Sequence, residues 1–582
     1  MLKASLCVSF FLAGWLPALA QTGPDAIRLN QMGFYPRAPK LAAVASETPT
    51  TFAVVAGRDT VFRGRLSAPR TSPYSGKTTR LADFSAVRKP GRYALFVPGV
   101  GLSYPFDIRK NVNEPVAKAS LKGFYFQRMS MPLDEQYAGK WARPAAHPDT
   151  LVLVHPSAAS AARPAGTVLA SPRGWYDAGD YNKYIVNSGI TVATLLALYE
   201  DFPAYVRALT VGISERANDV PDLLDESLWN LRWMLTMQDP ADGGVYHKLT
   251  NARFDGMVMP HQVGTAPRYV VQKSTAAALS FAAVMAQASR VYRPFSQQLP
   301  GLADSCQHAA RQAWQWARTN PAVLYRQEEM NRKFDPDIST GAYGDNDVSD
   351  EWAWAGAELF ATTGQADYLT PATLTEKPLL LPSWNQVRTL GHYTLLRLGK
   401  QLPASGQGRL PELRRQVVAL ADRLLDGLDQ CPYATVMGRT ERDFVWGSSA
   451  VAANQGIALV QAYRLTKAPR YLNGALSNLD YLLGRNATGY SFVTGQGHKT
   501  PMHIHHRPSE ADGIAEPVPG LLAGGPNPGR QDNCPTYPSA AADECYTDDV
   551  RSYASNEIAI NWNAPLVYLA GAIEALQAEL RN

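Results

Sequence analysis

The chain changes its hydrophobic period once, near Asn111, and that change limits what it can fold into. Before it, residues 25–108 carry short runs that often alternate apolar and polar, such as Lys40–Ala45, Thr51–Val55 and Gly91–Val97, separated by Pro, Gly, Ser and Asp. Alternation buries one face of a strand and leaves the other in water, so short strands at this spacing predict a small β-sandwich. After it, helical periodicity takes over. Leu224, Leu228, Leu231 and Leu235 fall on one face of a helix. Similar patterns recur near 114–128, 185–200, 274–292, 303–318, 350–363, 384–399, 411–428, 448–465, 469–483 and 557–579. They predict about eleven helices and almost no strand, with no repeat of the kind that marks a helical array. The longest connection, Thr488 to Ala554, is dense in His, Asp, Gly and Pro. Loops longer than about 12–15 residues in a compact domain usually serve function or are disordered.

Composition narrows the function classes. Length alone would suggest three or four domains, at about 150 residues each; the patterning reduces that to one small β-module and one large helical domain. Charged residues are 18% and aromatics 10%, which excludes a disordered chain. A net charge of +5 over 582 residues is no basic patch and argues against nucleic acid as a partner. Met1-Leu2-Lys3, an apolar stretch to Leu19, and Ala18-Leu19-Ala20 read as a signal peptide of residues 1–20, cleaved after Ala20. A secreted or periplasmic protein is expected. No later run approaches the roughly 18–20 apolar residues of a membrane span. Export would remove Cys7 and permit disulfides. Cys534 and Cys545 flank a polar loop that a bridge could staple, and the pairing stays open. Cys306 and Cys431, in or beside helical patterns, read as buried thiols. No C-x-x-C or compact Cys/His set is present, so no structural zinc is expected.

Four stretches could carry chemistry. In Gly174-Trp175-Tyr176-Asp177-Ala178-Gly179-Asp180, two carboxylates three residues apart precede a helix. They could converge on a water and deprotonate it, or merely cap the helix. In Ser555-Asn556-Glu557-Ile558-Ala559-Ile560, a lone Glu opens the last helix among apolar neighbours. Desolvation there would raise its pKa, as a general acid requires; a first-turn Glu favoured by the helix dipole is the alternative. Four of the ten His fall between His498 and His506. Adjacent His505-His506 with Arg507 beside them make a poor metal site, leaving substrate hydrogen bonding or a structural loop. Asp345, Asp347, Asp350 and Glu351 crowd four carboxylates into seven residues. Hard oxygens at that spacing suit Ca2+, and an exposed acidic helix start would look the same.

Taken together, these stretches resemble glycoside hydrolase family 9, with the immunoglobulin-like module often found at its N-terminus. The resemblance spans nearly all of the mature chain. It implies an immunoglobulin-like β-sandwich over 25–108, then an all-α (α/α)6 barrel of twelve helices over 112–582. One helix is then missing from the count, and Tyr205–Ala217 is where it is expected. By the same resemblance Asp180 is the general base, Asp177 the second carboxylate that holds the water, and Glu557 the general acid. His505 and Arg507 would bind sugar near the cleaved bond, with Tyr553 and His247 as further contacts. Trp384, Trp446 and Trp562 would stack on substrate or belong to the core. The 345–351 run resembles the family's calcium loop, with Asp347, Asp350 and Glu351 as ligands and Asn346 as a further candidate. The Cys residues of the zinc site found in some members are absent from 115–260, so no zinc is expected, nor any organic cofactor. The implied activity is inverting hydrolysis of β-1,4-glucosidic bonds in cellulose or a related β-glucan by a monomer. The alternatives are an exo-acting glucosaminidase, a hydrolase of another β-glycan such as mixed-linkage glucan or xyloglucan, or, more remotely, a non-catalytic glycan-binding protein.

Overall fold

The structure is a computed structural model that describes residues 23–215, 217–369 and 378–581. The proposed signal peptide and its cleavage point lie outside the described residues. Ten strands make the N-terminal module: β1 Ile27–Arg28, β2 Gly33–Phe34, β3 Leu41–Val44, β4 Thr51–Ala56, β5 Asp59–Arg65, β6 Arg70–Thr71, β7 Thr78–Asp83, β8 Gly91–Val97, β9 Gly101–Leu102 and β10 Phe106–Ile108. One sheet runs β1–β3–β7–β6 and the other β2–β10–β8–β4–β5, with β9 on β8. Alternation sets the inward face. Tyr93, Leu95 and Val97 of β8 are buried, and they join a core in which Phe34 meets Phe84 and Phe106 edge-on at 5.1 and 5.2 Å.

The rest is helical. Among the described residues eleven long helices occur: α1 Glu114–Phe126, α2 Ile185–Asp201, α3 Asp222–Thr236, α4 Thr275–Tyr292, α5 Leu302–Thr319, α6 Ser349–Thr363, α7 Arg388–Leu398, α8 Leu410–Leu425, α9 Ser448–Thr466, α10 Pro469–Leu482 and α11 Ile560–Leu576. Helices α11, α2, α4, α6 and α7 pack side by side in that order, and α9 closes onto α11. This inner ring is covered on both sides. In α4 every residue except Arg290 is buried. The outer helices carry one apolar stripe each: α5 buries Ala303, Cys306, Ala309, Ala310, Ala313, Trp314, Trp316 and Ala317 and leaves the rest of its surface exposed or half-buried. The helix expected over Tyr205–Ala217 is shorter and earlier, Pro203–Ala208. Pro203 starts it well, but the following Thr210-Val211-Gly212-Ile213 favours extended chain.

Two features depart from the sequence reading. The helical domain contains a five-stranded sheet: β11 Val152–Val154, β12 Val168–Leu169, β13 Lys183–Tyr184, β14 Lys248–Asn251 and β15 Arg268–Val270, in the order β12–β11–β15–β14–β13. Strands of two to four residues carry too few positions to show a period. Cys306, Cys431, Cys534 and Cys545 are all buried free thiols, so the pairing left open above is not made.

The β-module is clasped to the helical domain by buried polar groups. Gln31 Oε1 accepts from the backbone N–H groups of His498 and Lys499 at 2.7 and 2.8 Å, while its Nε2 donates to the Gly489 carbonyl. Asn30 donates to Asp480, and the Tyr35 hydroxyl donates to Glu574 of α11 at 2.6 Å. His498 stacks flat on Tyr104, with ring centroids 5.1 Å apart. Replacing Tyr35 by Phe strands a buried carboxylate that has lost one of its donors. Such a loss should cost about 1–3 kcal/mol, read as a lower melting temperature by calorimetry. An unchanged midpoint would refute a supporting role for the module.

Candidate active site

Main chain joins the two carboxylate-bearing stretches. Ala178 pairs antiparallel with Ala559, and the Ile560 N–H donates to the Asp177 carbonyl at 2.8 Å. His505 pairs in parallel with Glu557, and its N–H donates to the Asn556 carbonyl at 2.9 Å. The Gly179 N–H donates to Glu557 Oε1 at 3.3 Å. Gly179 has to be glycine, because a Cβ there would lie 2.1 Å from the His505 carbonyl oxygen. Asp177, Asp180, Glu557, His505 and Arg507 therefore meet at one end of the barrel, where α2 and α11 begin.

Each carboxylate has its own environment. Asp177 is buried, accepting from Asn187 Nδ2 at 2.5 Å and from the Tyr343 hydroxyl at 2.8 Å. Burial, then the neighbouring Asp180, push its pKa up to about 8, while those two donors pull the other way. Asp180 accepts from Asn182 at 2.6 Å and from the Tyr184 hydroxyl at 3.3 Å. Glu557 is held well above the usual carboxylate range by burial and by Asp180, against the opposing pull of Arg507. A carboxyl that keeps its proton beside further carboxylates is the arrangement of acid–base chemistry.

Arg507 spans the site. Its Nη1 donates to the Gly179 carbonyl at 2.7 Å and its Nε to the Asp255 carbonyl at 3.0 Å. A chain of contacts leads on from there. Asn251 Nδ2 donates to the Asp255 carboxylate, Arg268 donates to Asn251, and Arg268 and Lys183 both pair with buried Asp149 at 2.8 Å. The aspartate loop is thus gripped at Gly179 and again at Lys183.

The whole chain can be set beside known proteins. Residues 114–570 match Glycosyl hydrolase family 9, and residues 22–102 match the cellulase N-terminal ig-like domain. The chain belongs to glycosyl hydrolase family 9. A similar relative is a xyloglucan-specific endo-beta-1,4-glucanase of Bacteroides ovatus, 47% identical over 566 residues, covering 96% of this chain and 95% of that protein. Endoglucanase D of Acetivibrio thermocellus is 33% identical over 561 residues, 95% of this chain and 81% of its own. Among solved structures, a Bacteroides ovatus family 9 protein superposes with a TM-score of 0.91 at 45% identity, covering 95% of this chain and 99% of that one. A metagenome-derived family 9 endoglucanase gives 0.85 at 34% identity, with 94% and 99% covered. The neighbours share the (α/α)6 barrel, and the chain is a glycoside hydrolase.

The remaining expected contacts of this family 9 enzyme divide. Trp446 is 43% exposed and lies 5.5 Å from Tyr553, whose ring lies 5.9 Å from His505, the main-chain partner of Glu557. Trp384 meets Tyr343 edge-on at 5.3 Å, one ring removed from Asp177. Trp562 packs against the core and over Gly447, where a Cβ would meet its indole nitrogen at 2.6 Å. His247 has to be corrected as a substrate contact, since it has no exposed surface. Its Nδ1 meets Ser274 and its Nε2 donates to the Ala342 carbonyl, and burial drives its pKa down to about 3. It props the segment that carries Tyr343. His506 is also internal: its Nε2 donates to Gln127 Oε1, and Gln127 Nε2 donates to the Ala178 carbonyl. Tyr343, Asn187, Asp255 and Gln127 went unnoticed in the sequence, where no local pattern sets them apart.

The acidic loop is mixed. Asp350 accepts from the Val387 N–H at 2.6 Å, and Asp347 from the Ser349 N–H at 3.0 Å. Glu351 is buried with no donor on either oxygen, and burial and the Asp350 charge raise its pKa well above normal. Asp345 Oδ2 is likewise buried and without a donor. A divalent cation fits this oxygen-rich, undercompensated set. Even so, among the described residues no three His, Cys, Asp or Glu side chains converge on one point, so side chains alone do not close a shell.

Asp177 yields a pH test. Folded, it keeps its proton up to about 8, whereas an unfolded Asp loses it near about 3.9. Between these limits the folded state binds the extra proton, so this contribution is complete below the lower value. It is lost as pH rises toward the upper one, by at most about 1.4 kcal/mol per pH unit. In Asp177→Asn the fall in melting temperature across that window should be shallower than in the wild type. Equal slopes would contradict the assignment.

Proposed function

We propose that the enzyme cleaves β-1,4-glucosidic bonds inside xyloglucan or a related β-glucan, by single displacement with inversion. One observation carries this reading: Glu557, pushed toward keeping its proton, sits within hydrogen-bond reach of the loop bearing Asp177 and Asp180. Glu557 gives its proton to the leaving glycosidic oxygen. Asp180 takes a proton from the water that attacks the opposite face of the sugar, and Asp177 helps hold that water. His505, Arg507, Tyr553, Trp446 and Trp384 bind the sugar units beside the cleaved bond. The likeness to a xyloglucan-specific endo-beta-1,4-glucanase supports a branched β-1,4-glucan cut within the chain.

The enzyme works as a secreted or periplasmic monomer after loss of residues 1–20. The basic residue, apolar run and Ala18-Leu19-Ala20 of its N-terminus support that reading. Among the described residues no helix is long and apolar enough to cross a membrane. Calcium serves structure: Asp350 and Glu351, with Asp347, would hold Ca2+ and so neutralise the buried Glu351 carboxylate, which lacks a donor.

In Glu557→Gln, turnover of xyloglucan and cello-oligosaccharides should fall about 10²–10⁴-fold with oligosaccharide affinity retained. The first sugar released by the wild type should be the α-anomer by NMR. Full activity in the variant, or a β-anomer first, would overturn the mechanism. Chelation should lower the melting temperature and added Ca2+ restore it in a concentration-dependent way; no response to either would remove calcium.

A further inference from the structure

Asn251 ends β14, and the chain then runs Ala252-Arg253-Phe254-Asp255-Gly256-Met257-Val258-Met259 without regular structure along the site. This segment is fixed at three points. Arg507 Nε donates to the Asp255 carbonyl at 3.0 Å, the Tyr181 hydroxyl donates to the Val258 carbonyl at 2.6 Å, and Asn251 holds the Asp255 carboxylate at 3.2 Å. On this pinned backbone two large apolar side chains face outward: Phe254 is 48% exposed and Met257 39%. The Phe254 ring centroid lies 5.8 Å from the Arg507 guanidinium, which bonds the Gly179 carbonyl between the two aspartates. No hydrophobic core cluster claims Phe254, although the enzyme buries most of its aromatic rings.

An exposed aromatic ring in a held loop has a physical use. Burying its flat apolar face against a partner returns hydrophobic free energy, and a fixed loop loses little entropy on binding. The partner has to be flat and apolar on one face and hydroxylated at its edge, since the ring is bordered by the Arg507 guanidinium. A pyranose matches this: its axial C–H groups present an apolar face and its hydroxyls point outward.

We propose that Phe254 is a sugar-stacking platform that receives a pyranosyl unit of the β-glucan next to the aspartate loop. It complements Trp446 and Tyr553, which line up with His505. Both a backbone glucosyl unit and a branch xylosyl unit offer the required face. The proposal rests on the reading of this cleft as a β-glucan site.

The test compares wild type, Phe254→Ala and Phe254→Tyr on two series, plain cello-oligosaccharides and xyloglucan oligosaccharides. Phe254→Ala should raise KM about tenfold on at least one series, with kcat within about twofold and melting temperature unchanged, and Phe254→Tyr should restore KM. A rise confined to the xyloglucan series assigns the platform to a branch, and a rise in both assigns it to the backbone. Unchanged KM in both series, or a Tyr variant as poor as Ala, overturns the proposal. A second readout needs no turnover: Phe254→Trp placed in Glu557→Gln should add an oligosaccharide-dependent fluorescence change absent from Glu557→Gln alone, and no added change also overturns it. If the wild type cleaves only the plain series, the xyloglucan reading fails while Phe254 is still judged on cello-oligosaccharides.

Discussion

Two short main-chain pairings hold the chemistry together. Ala178 lies against Ala559 and His505 against Glu557, so segments almost four hundred residues apart in sequence share one register. Side-chain packing alone leaves carboxylates free to shift by rotamer, whereas a backbone bridge places them to within hydrogen-bond tolerance. The tightness of the join is visible at Gly179, where the His505 carbonyl fills the space that any side chain would need. Arg507 then seals the same residue from the other side. The raised pKa of Glu557 follows from this geometry, because the register brings it close to Asp180 and shuts out water.

Helix α2 connects the site to the opposite end of the barrel. It begins beside the aspartate loop and ends at Asp201, roughly 25 Å away at 1.5 Å per residue. There Asp201 accepts from Arg397 of α7, Arg464 and Gln461 of α9, and Tyr568 of α11. A buried charge is tolerated only when it is fully partnered, and here four donors on three other inner helices supply the partners. One end of α2 therefore carries a compensated carboxylate that fixes the ring. The other faces the Asp177 and Asp180 carboxylates, whose hydrogen-bond donors are neutral Asn and Tyr side chains rather than cations.

The periodic part of this architecture could be read from the sequence and the non-local part could not. All eleven long helices coincide with patterns seen in the apolar residues, because each buries a face set by its own spacing. The aspartate pair and Glu557 stood out through their neighbours. The sheet β11–β15 escaped notice because its strands borrow their stability from partners up to about a hundred residues away. Tyr343 and Asn187 reach Asp177 only through the folding of the barrel. The histidine run shows the limit most clearly. His498 stacks on the β-module, His506 braces Gln127, and only His505 sits beside Glu557 with a partly open ring. Composition placed these side chains together, but the backbone sends each in a different direction.

The clasp between the β-module and the barrel bears on the order in which the protein is made. Asn30, Gln31 and Tyr35 leave the ribosome early, yet their partners at Asp480, Gly489, His498 and Glu574 are made more than 440 residues later. The module must wait with this face uncovered until nearly the whole chain has been synthesised. The same late stretch brings Glu557 and α11. The last of these anchors, Glu574, thus arrives with Glu557 itself, so the clasp of the first domain and the catalytic end are completed by the same final stretch of chain.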